Sequence, residues 1–322
     1  MSRLVVLAAL MIALAGGCVG FTTESQAPVD LTAPGSWSIL APMPTARQEV
    51  AVAALDGRVY VIGGFGPGFR PVATVEAYDA EANEWEPRAS LPEPVHHAAA
   101  AVVNGRLFVI GGYTGGRLSW EASPTVYEYD LQGNTWKARA VMPTPRGALA
   151  VAVVANRIHA LGGSGEKLSQ AHEVYDPAAD RWTAANLMPT GRDHLAAVAY
   201  QDRVWAIGGR TSFRGTQFAN VEIYEPATDS WRTGSSLPSA RGGLAAAVLR
   251  DRIFVFGGEA PFRIFNATEM YDPGSNRWIA KAAMPTARHG IGAVVVGGRI
   301  YVPGGARQPG FDATRANEAY TP

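Results

Sequence analysis

The chain has 322 residues, and its 28 Lys and Arg balance 28 Asp and Glu, giving a formal net charge of zero. That balance excludes a general electrostatic attraction to nucleic acid or to an acidic surface, and a single cysteine excludes any internal disulfide. A chain of this size buries enough surface to be stable without one, so the missing bridge does not argue against an oxidising compartment.

At the N-terminus, Arg3 precedes the apolar run LVVLAALMIALA, and Gly16 and Gly17 follow it. The run is shorter than the roughly 18 residues of a spanning helix, so residues 1–17 read as an export signal. Cys18 comes next, and LAGGC resembles a bacterial lipobox, in which the cysteine is acylated after cleavage. It departs from the usual pattern in placing Ala15, with Leu14 before it, where a larger aliphatic residue is expected; the alternative is an ordinary signal-peptidase site and a free thiol. On the lipobox reading, residues 18–35 are the lipidated N-terminus and a polar tether with a coil-like reach on the order of 20 to 25 Å. The expected location is then outside the cytoplasm, anchored to a membrane on its periplasmic or cell-surface side.

From Trp37 the chain is periodic. Trp37, Trp85, Trp136, Trp182, Trp231 and Trp278 are each followed 26 residues later by a glycine pair: Gly63-Gly64, Gly111-Gly112, Gly162-Gly163, Gly208-Gly209, Gly257-Gly258 and Gly304-Gly305. Proline stands seven residues after every tryptophan, arginine ten residues after all but one, and arginine again at offset 21 in all six units. Tyrosine precedes the next tryptophan by seven residues from Tyr78 to Tyr271, and Tyr320 closes the chain. Steps of 46 to 51 residues are the signature of a propeller or solenoid.

Segments such as Arg58 to Ile62 are rich in β-branched and aromatic residues and bounded by Asp-Gly, Asn-Gly or Gly-Gly, which predicts hairpins. The strand before each turn has small side chains, as in HAAAAVV, and suits the crowded position nearest a propeller axis. The glycine pairs allow backbone angles closed to other residues and a close approach of neighbouring backbone. The repeated tyrosines and tryptophans are expected to fill the wedges between blades.

The copies GGLAAAVLRDRIFVFGG and TEMYDPGSNRW resemble the kelch repeat, and the resemblance covers residues 37 to 322. It implies an all-β, six-bladed propeller over residues 36–322 with four antiparallel strands per blade. Kelch propellers include protein-binding modules, sugar-binding proteins and a few enzymes, so the resemblance fixes no chemistry. Galactose oxidase-like copper enzymes need a cysteine beside the metal, and here the sole cysteine lies in the leader. An exported six-bladed sialic-acid mutarotase is similar, which leaves a sugar mutarotase or epimerase as the alternative to a non-catalytic binding or scaffolding module.

Counting strands at the two ends predicts the closure. The chain opens on a tryptophan strand that lacks a blade and ends on a tyrosine strand that lacks a fourth partner, so the N-terminal strand is expected outermost in the last blade. Glutamate stands two residues before the repeated tyrosine at Glu76, Glu173, Glu222, Glu269 and Glu318. The one unit lacking it, at Tyr127, also lacks the arginine, at Val95. Their joint loss predicts a pair within each blade, joining Arg47, Arg146, Arg192, Arg241 and Arg288 to those glutamates.

All length variation falls between the glycine pair and the tyrosine, so the loops joining strands two and three gather on one face with the strand-four-to-one connections. Those loops carry Phe69, Trp120, Phe213, Phe265 and Phe311, interleaved with Arg70, Arg117, Arg210, Arg214, Arg263 and Arg307. Aromatics and arginine are enriched in binding hot spots, and eight basic against four acidic loop residues give the face a positive lean. The expected ligand is an anionic protein or carbohydrate bound by a monomer; the alternative is that the loop phenylalanines pack back onto their blades. His97, His194 and His289, with His96, stand near the channel mouth in alternate blades. With only Asp193 as a nearby carboxylate and the blades spread around a ring, no metal, cofactor or catalytic set is assigned. His159 fills a slot held elsewhere by aromatic residues and reads as their structural stand-in.

Overall fold

Two-residue turns set the register of every blade. Asp56-Gly57, Asn104-Gly105, Ala155-Asn156, Gln201-Asp202, Arg250-Asp251 and Gly297-Gly298 all have positive φ at both positions. That is the turn whose twist matches the strands it joins. In the computed structural model, which describes residues 30–116 and 119–322, these hairpins build six four-stranded antiparallel sheets. Cys18 and Arg117 lie outside the described residues.

Blade 1 consists of Ala51–Leu55, Arg58–Ile62, Val75–Asp79 and Glu84–Arg88. Blades 2 to 6 repeat it from inner strands Ala99–Val103, Ala150–Val154, Ala196–Tyr200, Ala245–Leu249 and Val294–Val296. Each inner strand neighbours the next, and the sixth neighbours the first, so the sheets form a closed ring. The fourth strand of blade 6 is Ser36–Ile39, which pairs with Asn317–Thr321 through Trp37 opposite Tyr320. Closure by the N-terminal strand is therefore as the strand count requires.

The wedge between blades is aromatic. The tyrosine of each blade lies against the second-strand ring of the blade before it: Tyr129 on Tyr60, Tyr175 on Phe108, Tyr224 on His159, Tyr271 on Trp205, Tyr320 on Phe254 and Tyr78 on Tyr301, with centroids 5.0 to 5.9 Å apart. His159 is thus the stand-in that its repeat slot implies. The indole N–H of each of the six repeated tryptophans also donates, at 2.8 to 2.9 Å, to a carbonyl in the connection entering its blade, Trp85 to Ala41 and Trp136 to Ala89. The same bond crosses the chain ends from Trp37 to Ala282.

Glycine is required where blades touch. A Cβ on Gly63 would lie 2.5 Å from the carbonyl of Val95, and one on Gly257 would lie 2.3 Å from that of Arg288. The second glycine of each pair, at φ 90° to 105°, donates its N–H to that same carbonyl of the next blade at 2.8 to 3.0 Å, from Gly64 to Val95 round to Gly305 and Arg47.

All five repeated arginines are fully buried, and each meets its glutamate at 2.5 to 2.6 Å. The guanidinium also ties down backbone: Arg47 donates to the carbonyls of Val61, Gly63 and Thr74, and Arg288 to those of Val302 and Gly304. Thr45, Thr144 and Thr190 donate to the same carboxylates. Blade 2 inverts this arrangement. Glu93 replaces the hydroxyl residue and Tyr127 the glutamate, so that Tyr127 donates to Glu93 at 3.0 Å.

Candidate functional site at the channel mouth

Six residues at the same repeat position, Glu49, His97, Ala148, His194, Gly243 and Gly290, ring the axis, and all six have φ between 50° and 65°. Each backbone N–H donates to the carbonyl of its counterpart in the preceding blade, from His97 to Glu49 round to Glu49 to Gly290, at 2.8 to 3.0 Å. The left-handed backbone is costly for a residue with a Cβ, of order 1–3 kcal/mol, and the cyclic bonding holds it there. The ring residues bound a small cavity of about 90 Å³. A second cavity of about 270 Å³ is lined by the inner strands, among them Val52, Ala54 and Ala100.

A chain of charged and imidazole groups follows the ring. His97 Nε2 lies 3.4 Å from Glu49 Oε2, and His97 Nδ1 lies 2.6 Å from Nδ1 of His96. His289 Nδ1 stands 3.5 Å from Glu49 Oε1 and 3.2 Å from Glu259 Oε1. Glu259 pairs with Arg210 at 2.6 Å, Arg210 reaches Asp193 at 3.7 Å, and Asp193 holds Nδ1 of His194 at 2.8 Å. Atoms able to ligate a metal, one each from Glu49, His97 and His194, lie within 4.8 Å of one another.

Burial pushes the His96 imidazole down to about 3 and holds His97 well below the usual range, so both are neutral at pH 7. Burial pulls His289 down as well, but the carboxylates of Glu49 and Glu259 outweigh it and raise its pKa. For Glu49, burial acts upward, yet the neighbouring imidazoles of His97 and His289 outweigh it and keep the carboxyl well below its ordinary value.

Beside the mouth, over blades 6, 1 and 2, Phe65, Phe69, Trp120 and Phe311 line an aromatic cup of about 220 Å³. Phe69 stands edge-on to Phe311 with centroids 3.8 Å apart, while Phe65 stacks on His96 at 3.9 Å. Trp120 leans over both His96 and His97 at 4.8 and 5.1 Å. Phe65 is buried as the floor, while Trp120 and Phe311 remain accessible, 42% and 46% exposed.

The loop residues singled out from the sequence therefore separate. Phe69, Trp120 and Phe311 meet in the cup, with exposed Arg70 on the same blade 1 loop as Phe69. Phe213 and Arg214 are exposed on blade 4, across the ring, and Arg263 is exposed on blade 5. Phe265 is corrected: it is buried beneath Arg263 and Arg241, at 4.4 and 5.3 Å, and packs back onto its own blade. Arg210 is corrected likewise, since it is buried and held by Glu259 and Asp193, and Arg307 is engaged by Asp312 at 3.0 Å. His97 and His194 converge on the axis, whereas His289 is 1% exposed and supports Glu49 from behind. Blade separation does not keep the histidines apart, because the axial ring is narrow. Sequence reasoning missed Glu49, which comes from the blade before His97 and is distant along the chain. Its signal was positional: it stands twelve residues after Trp37, as His97 and His194 do after Trp85 and Trp182.

A family model described as the KLHDC2/KLHL20/DRC7 kelch-repeats domain matches residues 16–188 and 184–305. Mouse Kelch-like protein 35 is 27% identical over 140 residues, 44% of this chain and 23% of that protein. Human Kelch-like protein 4 is 47% identical over 49 residues, 15% of this chain and 7% of that protein. The matches thus span less than a quarter of either curated relative. Among solved structures, one described as "Structure of YjhT" is similar with a TM-score of 0.75, covering 87% of this chain and 96% of that one at 17% identity, a likeness of fold.

Proposed function

Because this chain belongs to the kelch-repeat family, we propose that it is a non-catalytic binding module whose aromatic cup receives a protein or carbohydrate ligand at the cell envelope. The observation that carries the reading is the cluster of partly exposed rings, Phe69, Trp120 and Phe311, gathered from three blades beside the channel mouth. Rings of this size in a recess contribute contact area at little conformational cost and stack well on flat apolar faces, including those of sugars. Arg70, and Arg214 and Arg263 farther round the face, favour an anionic ligand. The acylated Cys18 would hold the module at a membrane. Metabolic labelling with a palmitate analogue tests that anchor, and label retained after Cys18→Ala would refute it.

The function is tested by screening acidic glycans and envelope extracts for stoichiometric capture, with an anomer-exchange assay on sialic acid run in parallel. Trp120→Ala and Phe311→Ala are each expected to weaken capture about 10- to 100-fold, corresponding to roughly 1.4 to 2.8 kcal/mol. Rapid anomer exchange by the wild type, or capture unchanged in both variants, would refute the reading.

A further inference from the structure

We infer that the axial mouth binds one divalent first-row transition-metal ion through Nε2 of His97, Nε2 of His194 and the carboxylate of Glu49. Two imidazoles and one carboxylate are a donor set suited to zinc, iron(II) or cobalt(II), and they leave further coordination positions open. The three ligand atoms lie within 4.8 Å of one another. Bonds of about 2.1 Å bring adjacent ligand atoms to about 3 to 3.5 Å, so an edge of 4.8 Å must close by about 1.3 to 1.8 Å, within reach of side-chain rotation.

A second observation points the same way. Each imidazole is already held through its other nitrogen, His194 Nδ1 by the Asp193 carboxylate at 2.8 Å and His97 Nδ1 by His96 at 2.6 Å. A carboxylate behind a histidine is the outer-shell arrangement that orients metal ligands and fixes the tautomer with Nε2 free to coordinate. Glu49 is equally prepared. His289 attends its Oε1, and Oε2 is the oxygen nearest His97. Two imidazoles and a carboxylate in left-handed positions, Glu49, His97 and His194, are also costly as mere filling, since Gly243 and Gly290 occupy the same ring position without strain.

Those glycines supply variants that preserve the fold, because His97→Gly and His194→Gly install a residue the ring already accepts. The untagged full chain, stripped with EDTA, is titrated with ZnCl2 by calorimetry and with CoCl2 by visible absorption, while thermal melts monitor folding. One equivalent of Zn2+ and Co2+ d–d bands are expected in the wild type, with affinity lowered at least 100-fold in either glycine variant and about 10-fold in Asp193→Asn. No Zn2+ uptake, uptake unchanged in the glycine variants, or stronger binding of Ca2+ or Mg2+ would overturn the assignment. Should a variant fail to fold, Co2+ paramagnetic broadening in the wild type decides. Broadening of the His97 and His194 imidazole resonances supports the site, and broadening confined to other histidines overturns it.

Discussion

A buried guanidinium is tolerable in these blades because its charge is met and its terminal N–H groups find carbonyls, as those of Arg192 do at Thr190 and Ala206. Arg192 has no exposed surface and pairs with Glu222 at 2.6 Å, with Thr190 donating to the same carboxylate. Arg192→Met would leave that carboxylate buried without its cation and should destabilise the fold by roughly 3 to 5 kcal/mol in urea unfolding. Blade 2 shows a solution without the guanidinium, in which Val95, Tyr127 and a partly exposed Glu93 replace arginine, glutamate and threonine. Transplanting it as Thr190→Glu, Arg192→Val and Glu222→Tyr together should recover most of the loss; a triple variant no more stable than Arg192→Met would refute the equivalence. The arginine-glutamate clasp was legible because both members vanish from one unit. Glu93 was not, because a carboxylate in a threonine slot looks like surface variation until its tyrosine partner is seen. Glu49 was hard to see for a related reason: its counterparts at the same offset are histidine, alanine and glycine, so the shared position carries no shared side chain and only the backbone shows what it does.

Among the elements, the N-terminal strand joins the ring by a local substitution. In blades 1 to 4, an Asn or Asp in left-handed conformation, such as Asn83, accepts from its own tyrosine hydroxyl and from a backbone N–H of the preceding connection. At the seam Gly35 holds that position at φ 73°, and the Pro34 carbonyl accepts both from Tyr320 and from the N–H of Ala282. A Cβ on Gly35 would lie 2.2 Å from the Tyr320 hydroxyl, whereas Gly57, at φ 71°, has open space around it. Gly57→Ala should therefore cost about 1 kcal/mol, the backbone term alone, and Gly35→Ala clearly more; equal melting temperatures would contradict this account of the seam. Deleting residues 36–42 should abolish cooperative folding, and a deletion protein with an unchanged melting temperature would refute the closure. Blade 3 carries a different element-level weakness. His159 and His172, on adjacent strands, meet at 2.8 Å, and burial pushes their imidazoles down to about 4 and about 3. Well above pH 6.5 both are neutral whether the chain is folded or unfolded, so they give stability no dependence on pH. As pH falls below that, only the unfolded chain takes up the protons, and stability should fall by up to about 2 to 3 kcal/mol per imidazole by pH 4.5. The double variant His159→Phe, His172→Val should lose measurably less stability between pH 7.5 and 4.5 than the wild type, and an identical loss would sink the claim.

At the scale of the whole molecule, blade number, strand order and seam were legible because every unit solves the same packing problem with the same residues at the same spacing. The recognition face was less so, since each loop between second and third strands settles by its own contacts. Phe265 turns under two arginines of its own blade, while Phe311 crosses to meet Phe69. A count of loop charges likewise overlooked Glu49 and Asp193, whose buried carboxylates stand at the centre of the face while its exposed arginines stand outside the axial ring. One further property belongs only to the closed circuit of backbone bonds at the axis. Helices and sheets fray because they have first and last members, and amides near those ends exchange with solvent through small local openings. A circle has no terminal member. The amide protons of Glu49, His97, Ala148, His194, Gly243 and Gly290 should therefore exchange with deuterium as one class, on the timescale of global unfolding, and any one of them exchanging early would reveal a preferred breach in the ring.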